Sequence, residues 1–322
     1  MRISREKLTS EAQATGFRPE VLEKVIHLLN LLEGFQSHPF LKDRLALKGG
    51  TALNLFLFDI PRLSVDIDLN YVAATDRETM VKERPKIEQA VQAVCSREGM
   101  KVTRVPTDHA GGKWRLRYDS STGEGGNLEI DLNYMFRVPL WPVKKINTRP
   151  VGSYSARQIP VLDLHELAAG KLAALMARHA SRDLFDAHLL LTQTELDQEK
   201  LRLGFVLFGA MNRKDWRSIA IDDVGYDAKE LKNQLAPVVR IDVLDQMKAQ
   251  NWATRMVQEC RERLSIVLPF TDAEREFLDQ ILDHGEIKPG LLTKDETMRQ
   301  RIECHPLLRW KALNVRKYKA AK

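Results

Sequence analysis

The sequence contains few cysteines and no long apolar run, and both shortages argue against whole classes of protein. Its three cysteines, Cys95, Cys260 and Cys304, lie far apart in a chain of 322 residues. They lack the Cys-x-x-Cys or His spacing of a zinc site and offer no disulfide framework, so a reducing compartment is expected. No apolar run approaches membrane-spanning length, and the N-terminus lacks the apolar core of a signal peptide. We expect a cytoplasmic protein with no membrane partner.

The composition is otherwise that of an ordinary globular protein. Hydrophobic residues make up 43% of the chain and charged residues 29%, close to typical values. The formal net charge is +6, which is compatible with a nucleic-acid partner, although modest and diffuse charge also serves solubility. The length suits two domains, or one core domain with a helical extension.

One stretch, from Leu45 to Tyr71, combines a glycine turn with paired acids. It reads as a short strand, a turn at Lys48-Gly49-Gly50-Thr51, a helix and a second strand. The two glycines let the backbone turn and approach a ligand closely. The unpaired N–H groups that open the helix suit a phosphate.

The second strand of this stretch carries Asp66 and Asp68 in strict alternation with apolar residues. A strand therefore places both carboxylates on one face. Two parallel carboxylates beside a phosphate cradle are what magnesium needs in phosphoryl or nucleotidyl transfer. These residues predict a catalytic site.

The same residues carry a family resemblance. Lys48-Gly-Gly-Thr-Ala-Leu, followed by Arg62-x-Ser64-x-Asp66-Ile-Asp68-Leu, resembles the first motif of AbiEii/AbiGii-type nucleotidyltransferase toxins, which include the MenT toxins of the polymerase-β-like superfamily. The resemblance implies an α/β (α+β) fold, a polymerase-β-like mixed-sheet domain followed by an all-helical C-terminal domain. It also implies that Asp66 and Asp68 bind two magnesium ions. The residues that it implies in nucleotide binding are Lys48, Gly49, Gly50, Thr51 and Ser64.

Other elements of the first half follow from periodicity and turn residues. Residues 1–17 are polar and are expected to be partly disordered or loosely docked. A helix is predicted from Pro19 to Phe35, and a longer one from Asp76 to about Glu98, with a kink allowed at Pro85. Three strand-like runs then form a predicted meander; they are Lys101–Val105, Lys113–Tyr118 and Leu128–Tyr134.

The third of these runs again alternates acids with apolar residues. The superfamily resemblance implies a third metal-binding acid on the strand next to Asp66 and Asp68. Asp131 is the candidate, and Glu129, on the same face, is the alternative. A solvent-facing strand with no role in catalysis would show the same alternation.

A proline-rich segment separates the two halves of the chain. Four prolines between residues 136 and 162 break regular structure and mark a boundary. We predict a nucleotidyltransferase core domain with an N-terminal helix at residues 1–150. A helical domain at 151–322 is expected to complete the active site and to bind the acceptor. Two capping boxes predict helix starts there; they pair Asp163 with Glu166 and Thr271 with Glu274.

The first of those helices carries Lys171 within its apolar stripe. Such a lysine either reaches a cleft or snorkels at the edge of the stripe. Glu166 to Lys171, followed by Arg178 and Arg182-Asp183-Leu-Phe-Asp186, resembles the family's second and third motifs. The resemblance implies Lys171 on the nucleotide phosphates, Arg182 and Asp183 beside the nucleotide, and an aspartate in the transfer site. Asp186 is favoured for that role; Asp183 would then pair with an arginine or cap the helix.

The C-terminal tail interleaves basic residues with Trp310 and Tyr318. Such a tail can hold an RNA backbone and stack a base, or it can be a solvated helix face. Its basic residues are Arg299, Arg301, Arg309, Lys311, Arg316, Lys317 and Lys319.

The resemblance predicts the toxin of a bacterial two-gene toxin–antitoxin system, of the kind used in phage defence. Such an enzyme moves a nucleoside monophosphate from a nucleoside triphosphate onto a hydroxyl and releases pyrophosphate. MenT toxins modify the 3′ end of transfer RNA, so tRNA is the leading acceptor and a cognate antitoxin the expected protein partner. One alternative is a protein or a small-molecule acceptor of aminoglycoside type. The others are a catalytically silent scaffold and a plain nucleic-acid-binding module.

Overall fold

The computed structural model describes residues 3–248 and 251–320. The strands are β1 Leu45–Lys48, β2 Asp66–Tyr71, β3 Lys101–Arg104, β4 Gly111–Asp119, β5 Gly125–Asn133, β6 Lys144–Ile146 and β7 Ile159–Val161. The helices are α1 Arg5–Thr15, α2 Pro19–Ser37, α3 Gly49–Ala52, α4 Arg77–Arg97, α5 Leu164–Ala177, α6 Ser181–Gln193, α7 Gln198–Ala210, α8 Ala228–Glu230, α9 Ile241–Met247, α10 Trp252–Arg263, α11 Asp272–Asp279, α12 Glu296–Cys304 and α13 Pro306–Ala320. Single π-helical turns occupy Leu53–Leu57, Leu231–Leu235 and Gln280–His284. Short 3₁₀ turns occupy Trp216–Ser218, Ile221–Asp223, Ala236–Val238, Leu264–Ile266 and Pro289–Leu291.

The chain divides into two compact units, and each is discontinuous in sequence. Described residues of the first unit come from Met1–Arg137, Val143–Leu162 and Asn233–Ala249. Those of the second come from Val138–Pro142, Asp163–Lys232 and Gln250–Lys322. The first unit therefore extends past residue 150, and a segment from the second half of the sequence returns to it.

The first unit is built on one mixed sheet of seven strands in the order β3-β4-β5-β2-β1-β7-β6. β2 pairs with β5, and β1 with β7, in parallel, while the other neighbours are antiparallel. The predicted mixed-sheet α/β fold is confirmed, and so is the predicted meander. β6 and β7 lie in the proline-rich segment, where the prediction of broken regular structure was wrong. At three residues each, they are too short to show alternation.

The prediction for residues 1–17 was also wrong. Ser4 caps α1 by accepting the Lys7 N–H, and Gly16 ends the helix with φ of +72°. Leu8 and Ala12 form the buried face of this helix. The predicted helix at Pro19 is confirmed as α2, and α4 runs without interruption through Pro85.

The described part of the second unit contains helices and no strand. α5 packs against both α6 and α7, and α10 packs against α6. Leu172, Leu190, Phe205 and Trp216 are fully buried in its core. The capping box at Thr271 and Glu274 is confirmed at the start of α11. Across residues 3–248 and 251–320, no helix combines the length and the apolarity needed to span a membrane.

Candidate active site

The glycine turn joins β1 to α3 and is fixed to the strand that carries the paired acids. The Thr51 hydroxyl donates to the backbone carbonyl of Asp66, and Asn54 Nδ2 donates to the Gly50 carbonyl at 3.0 Å. Both side chains are buried. Thr51 was predicted to bind nucleotide, but its hydroxyl is bonded to the β2 backbone. The backbone N–H groups of the turn lie at the start of α3.

Gly49 sits at the start of this turn, directly beside an acidic side chain. Its φ is +73°, a conformation that L side chains rarely adopt. A Cβ atom built on Gly49 would lie 2.2 Å from Asp68 Oδ2, far inside any allowed contact. Only glycine therefore lets the Asp68 carboxylate lie against the turn.

The strand register brings the predicted acids together on one face of the sheet. In the parallel pair β2–β5, Asp68 is opposite Asp131 and Asp66 is opposite Glu129. Lys48 on β1 is the register partner of Asp68 on its other side. Because register partners share a face, the four acids form a compact patch flanked by Lys48.

The surroundings of Glu129 and Asp131 differ, although both lie on β5. Glu129 Oε2 accepts from Lys113 Nζ at 2.8 Å, and its Oε1 is 3.3 Å from Arg115 Nε. The hydrogen bond from Lys113 lowers the pKa of Glu129 against the opposing effect of burial. Burial raises the pKa of Asp131, the charge of Lys48 opposes that rise, and the neighbouring Asp68 adds to it. One acid is neutralised by two cations, and the other faces a second carboxylate.

The donor chemistry of the patch fits a hard divalent cation. Asp66, Asp68 and Asp131 offer only carboxylate oxygens, the ligands that Mg²⁺ prefers. Burial and, to a smaller extent, the neighbouring Asp68 carboxylate raise the pKa of Asp131, and a bound cation would counteract both effects. Within the part of the chain that the structure describes, no group of three or more His, Cys, Asp or Glu side chains has the spacing of metal ligands.

The loop that leads into β2 is held by a segment that sequence reasoning missed. Leu63 N–H donates to the Val238 carbonyl at 2.8 Å, and Arg240 N–H donates to the Pro61 carbonyl at 3.1 Å. Arg240 Nη1 also donates to the carbonyl of Ile60. Ser64, predicted to bind nucleotide, is buried at the end of this loop. No local pattern links residues 233–248 to a loop about 180 positions earlier.

In the second unit, Lys171 on α5 meets both predicted acids of α6. Its Nζ lies 2.8 Å from Asp183 Oδ1 and 2.9 Å from Asp186 Oδ2. Arg178 Nε lies 2.6 Å from the other Asp183 oxygen. Lys171, Asp183 and Asp186 are all buried, and Arg182 is half-buried.

This buried cluster explains why a lysine occurs in an apolar stripe. Burial tends to raise the pKa of Asp183, but the charge of Lys171 and the hydrogen bond from Arg178 hold it below its usual value. Lys171 does not reach solvent by snorkelling, since its side chain is only 9% exposed. Both aspartates direct an oxygen at the same ammonium, as their spacing of three residues on one helix allows.

Glu166 has a different partner from the one that its capping-box position suggests. Asp163 caps α5 by accepting the His165 N–H at 2.9 Å. The Glu166 carboxylate accepts the Leu140 N–H at 2.9 Å and is fully buried. Burial raises the pKa of Glu166 to about 8. Glu166 therefore joins the short segment 138–142 to the helices of the second unit.

The basic tail forms α12 and α13, and many of its cations hold the second unit together. Trp310 and Tyr318 are exposed. Several side chains donate to backbone carbonyls: Arg299 to Thr293, Arg301 to Pro139, Arg309 to Glu303, Lys311 to Asn212 and Arg316 to Gly285. Much of the basicity of the tail is therefore structural.

Comparison with known proteins gives a matching family and similar solved structures. A family model described as "Nucleotidyl transferase AbiEii toxin, Type IV TA system" matches residues 30–269, most of the chain. The structure of MenT4, a nucleotidyltransferase toxin from Mycobacterium tuberculosis H37Rv, is similar with a TM-score of 0.59 and 17% sequence identity. That similarity covers 97% of this chain and 99% of the MenT4 chain, and at this identity it shows the fold. No curated protein sequence gives a match.

Proposed function

Because this chain belongs to the AbiEii nucleotidyltransferase toxin family of type IV toxin–antitoxin systems, we propose that it transfers a nucleoside monophosphate from a nucleoside triphosphate to an RNA hydroxyl. The 3′ end of transfer RNA is the leading acceptor, and its modification would block translation and arrest growth. A cognate antitoxin would oppose that arrest. The excess of six positive charges supports a polyanionic acceptor.

One observation carries the proposal, namely the register that sets Asp68 opposite Asp131 with Asp66 on the same face. Next to these acids, the Gly49 turn opens a helix whose first N–H groups suit phosphate oxygens. An isolated acidic strand would give neither the pairing across strands nor the glycine that makes room for Asp68.

We assign the parts of the reaction to residues as follows. Asp66, Asp68 and Asp131 would hold magnesium, two ions in all, which would neutralise charge on the triphosphate. The turn that includes Lys48 and Gly50 would position the phosphates. The acceptor oxygen forms a bond to the α-phosphorus while the bond from that phosphorus to the β-phosphate oxygen breaks, and pyrophosphate leaves. Besides binding magnesium, the half-buried Asp131, whose pKa is raised, would take the hydroxyl proton.

In the second unit, Lys171 remains our candidate for the nucleotide phosphates and Asp186 for the transfer site, with Arg182 and Asp183 beside the nucleotide. In the structure, the Lys171 ammonium bridges the carboxylates of Asp183 and Asp186. Binding phosphate would mean exchanging one of them for a phosphate oxygen. Asp183 also pairs with Arg178, which would reduce the electrostatic cost of releasing the lysine from Asp183.

The test is incubation of the protein and magnesium with total tRNA and each α-labelled nucleoside triphosphate in turn. We expect one triphosphate to label RNA and the D66A/D68A variant to label none. The exposed carboxylate Asp108, changed in D108N, provides a control that should label RNA as the wild type does. Label that reaches a protein or an aminoglycoside but never RNA would replace the acceptor. Nucleotide binding without any transfer would replace the enzyme by a silent scaffold.

A further inference from the structure

The outer two strands of the sheet carry an arrangement of charge that the transfer chemistry does not use. β3 and β4 contain five basic residues and one acidic residue, Asp119, at the end of β4. We refer to the five as the basic ladder; they are Lys101, Arg104, Lys113, Arg115 and Arg117. All five are exposed.

The register places the basic ladder on the same face as the catalytic acids. Lys113 is the partner of Asp131 and Arg115 that of Glu129. The alternate residues of β4, Trp114 and Leu116, are buried on the other face. Along β4 the ladder therefore begins opposite Asp131, passes Glu129 at Arg115 and extends beyond the acids at Arg117, about 13 Å from Lys113.

β3 widens the ladder by placing like charges opposite one another. Lys101 is the register partner of Arg117, and Arg104 that of Arg115. The second pairing depends on a register shift between Val102 and Arg104, and such a bulge re-aims a side chain. Like charges directly opposite each other destabilise a strand pair. This part of the sheet therefore carries an electrostatic cost in the absence of a ligand.

Little within the first unit offsets that cost. Glu129 neutralises Lys113 and Arg115 together with a single carboxylate. Among the described residues, Arg104 and Arg117 form no side-chain ion pair. The ladder is also longer than a triphosphate beside Asp131 would need, so it fits a ligand with negative charges repeated along its length.

We propose that the basic ladder binds the sugar–phosphate backbone of the RNA acceptor and leads its reactive end to the acids on β2 and β5. This inference rests on the proposed function for the identity of the acceptor. The ladder supplies position and salt-dependent affinity, not base recognition, because phosphate contacts carry no sequence information.

The test neutralises the part of the ladder farthest from the acids, in the variant K101Q/R104Q/R117Q. Its control, R5Q/R77Q/K86Q, removes the same number of exposed lysines and arginines from α1 and α4. Binding of total tRNA is measured by filter retention across a salt series, and transfer by the KM for tRNA. The ladder variant should raise that KM about tenfold and flatten the slope of log K against log salt by about 2. The control should resemble the wild type.

Thermal unfolding adds a readout that a purely structural role would not produce. Relief of the two like-charge pairs should leave the ladder variant at least as stable as the wild type, although its acceptor KM rises. A lower midpoint of unfolding with unchanged tRNA affinity and salt slope would overturn the proposal.

The remaining outcomes separate the ladder from the proposed function. RNA transfer with an unchanged KM and slope in the ladder variant would remove the ladder and leave the transferase. Ladder-dependent tRNA binding without any transfer would leave an RNA-binding surface and remove the transferase. If polyglutamate binds the wild type as tightly as tRNA at equal salt, the ladder attracts any polyanion, and its assignment to RNA is overturned.

Discussion

The Asp68 carboxylate lies so close to Gly49 that a Cβ atom on Gly49 would stand 2.2 Å from Asp68 Oδ2. We predict that G49A loses nearly all transfer activity, because the methyl group displaces an acid assigned to the metal. The φ of +73° adds a strain of about 1–2 kcal/mol. Transfer rate and the free energy of unfolding are the quantities to measure.

G99A is the matched control for this prediction. Gly99 has φ of +76°, and nothing lies within 4 Å of a Cβ built there. The G99A variant incurs the same backbone strain without the collision, so it should lose stability and keep its transfer activity. Equal loss of activity in both variants would assign the effect to backbone strain and leave the position of Asp68 without a role.

The two acids on β5 should separate in mutagenesis. D131N should abolish transfer with little change in stability, because Asp131 is assigned to the metal and is already penalised by burial. E129Q should retain most transfer, since Glu129 is neutralised by Lys113 and Arg115. It should also lower the KM for tRNA, because both cations become free for phosphate. Single-turnover rates decide between them, and the opposite ranking would transfer the catalytic role to Glu129.

The buried lysine of α5 makes a prediction about stability. K171M leaves the fully buried Asp186 without its ammonium partner, and breaking such a pair costs about 3–5 kcal/mol. Adding D186N should recover part of that loss, because it removes the negative charge that Lys171 balances. R178Q should cost under about 1 kcal/mol, since Arg178 is largely exposed. Urea unfolding measures the free energy of unfolding of each variant. A K171M variant with nearly the stability of the wild type would contradict the account of a buried ion pair.

Glu166 predicts a pH dependence of stability. Its folded-state pKa of about 8 lies above its unfolded value near 4.5, so between these values the folded state holds a proton that the unfolded state has lost. Stability should therefore fall as pH rises through this window, by at most about 1.4 kcal/mol per pH unit, and level off above it. E166Q has no such proton, so its stability relative to the wild type should rise from pH 5 to 8. A difference that does not change with pH would show that Glu166 is ionised in the fold.

Sequence reasoning reached the parts of the fold that depend on local pattern. The alternation around Asp66 and Asp68 predicted their strand and shared face, and the glycines predicted the turn. It could not choose between Glu129 and Asp131, because residues two apart on a strand share a face. Their environments differ only through what β4 places opposite them, which no single segment encodes.

Contacts distant in sequence account for most of what was missed. The bonds between Arg240 and the loop before β2 join segments with no common motif. The short strand β7 is defined by its pairing with β1 rather than by its own three residues. The two partners of Lys171 depend on how α5 packs against α6, whereas the position of the lysine in an apolar stripe was visible in the sequence.

The most direct test of the central claim compares one nucleoside triphosphate labelled at the α-phosphate with the same triphosphate labelled at the γ-phosphate. Each is incubated with magnesium, total tRNA and either the wild type or D66N/D68N. Nucleotidyl transfer by the acids on β2 predicts that only α-label reaches RNA, and only with the wild type. Transfer of γ-label, or equal α-label transfer by the double variant, would contradict the account.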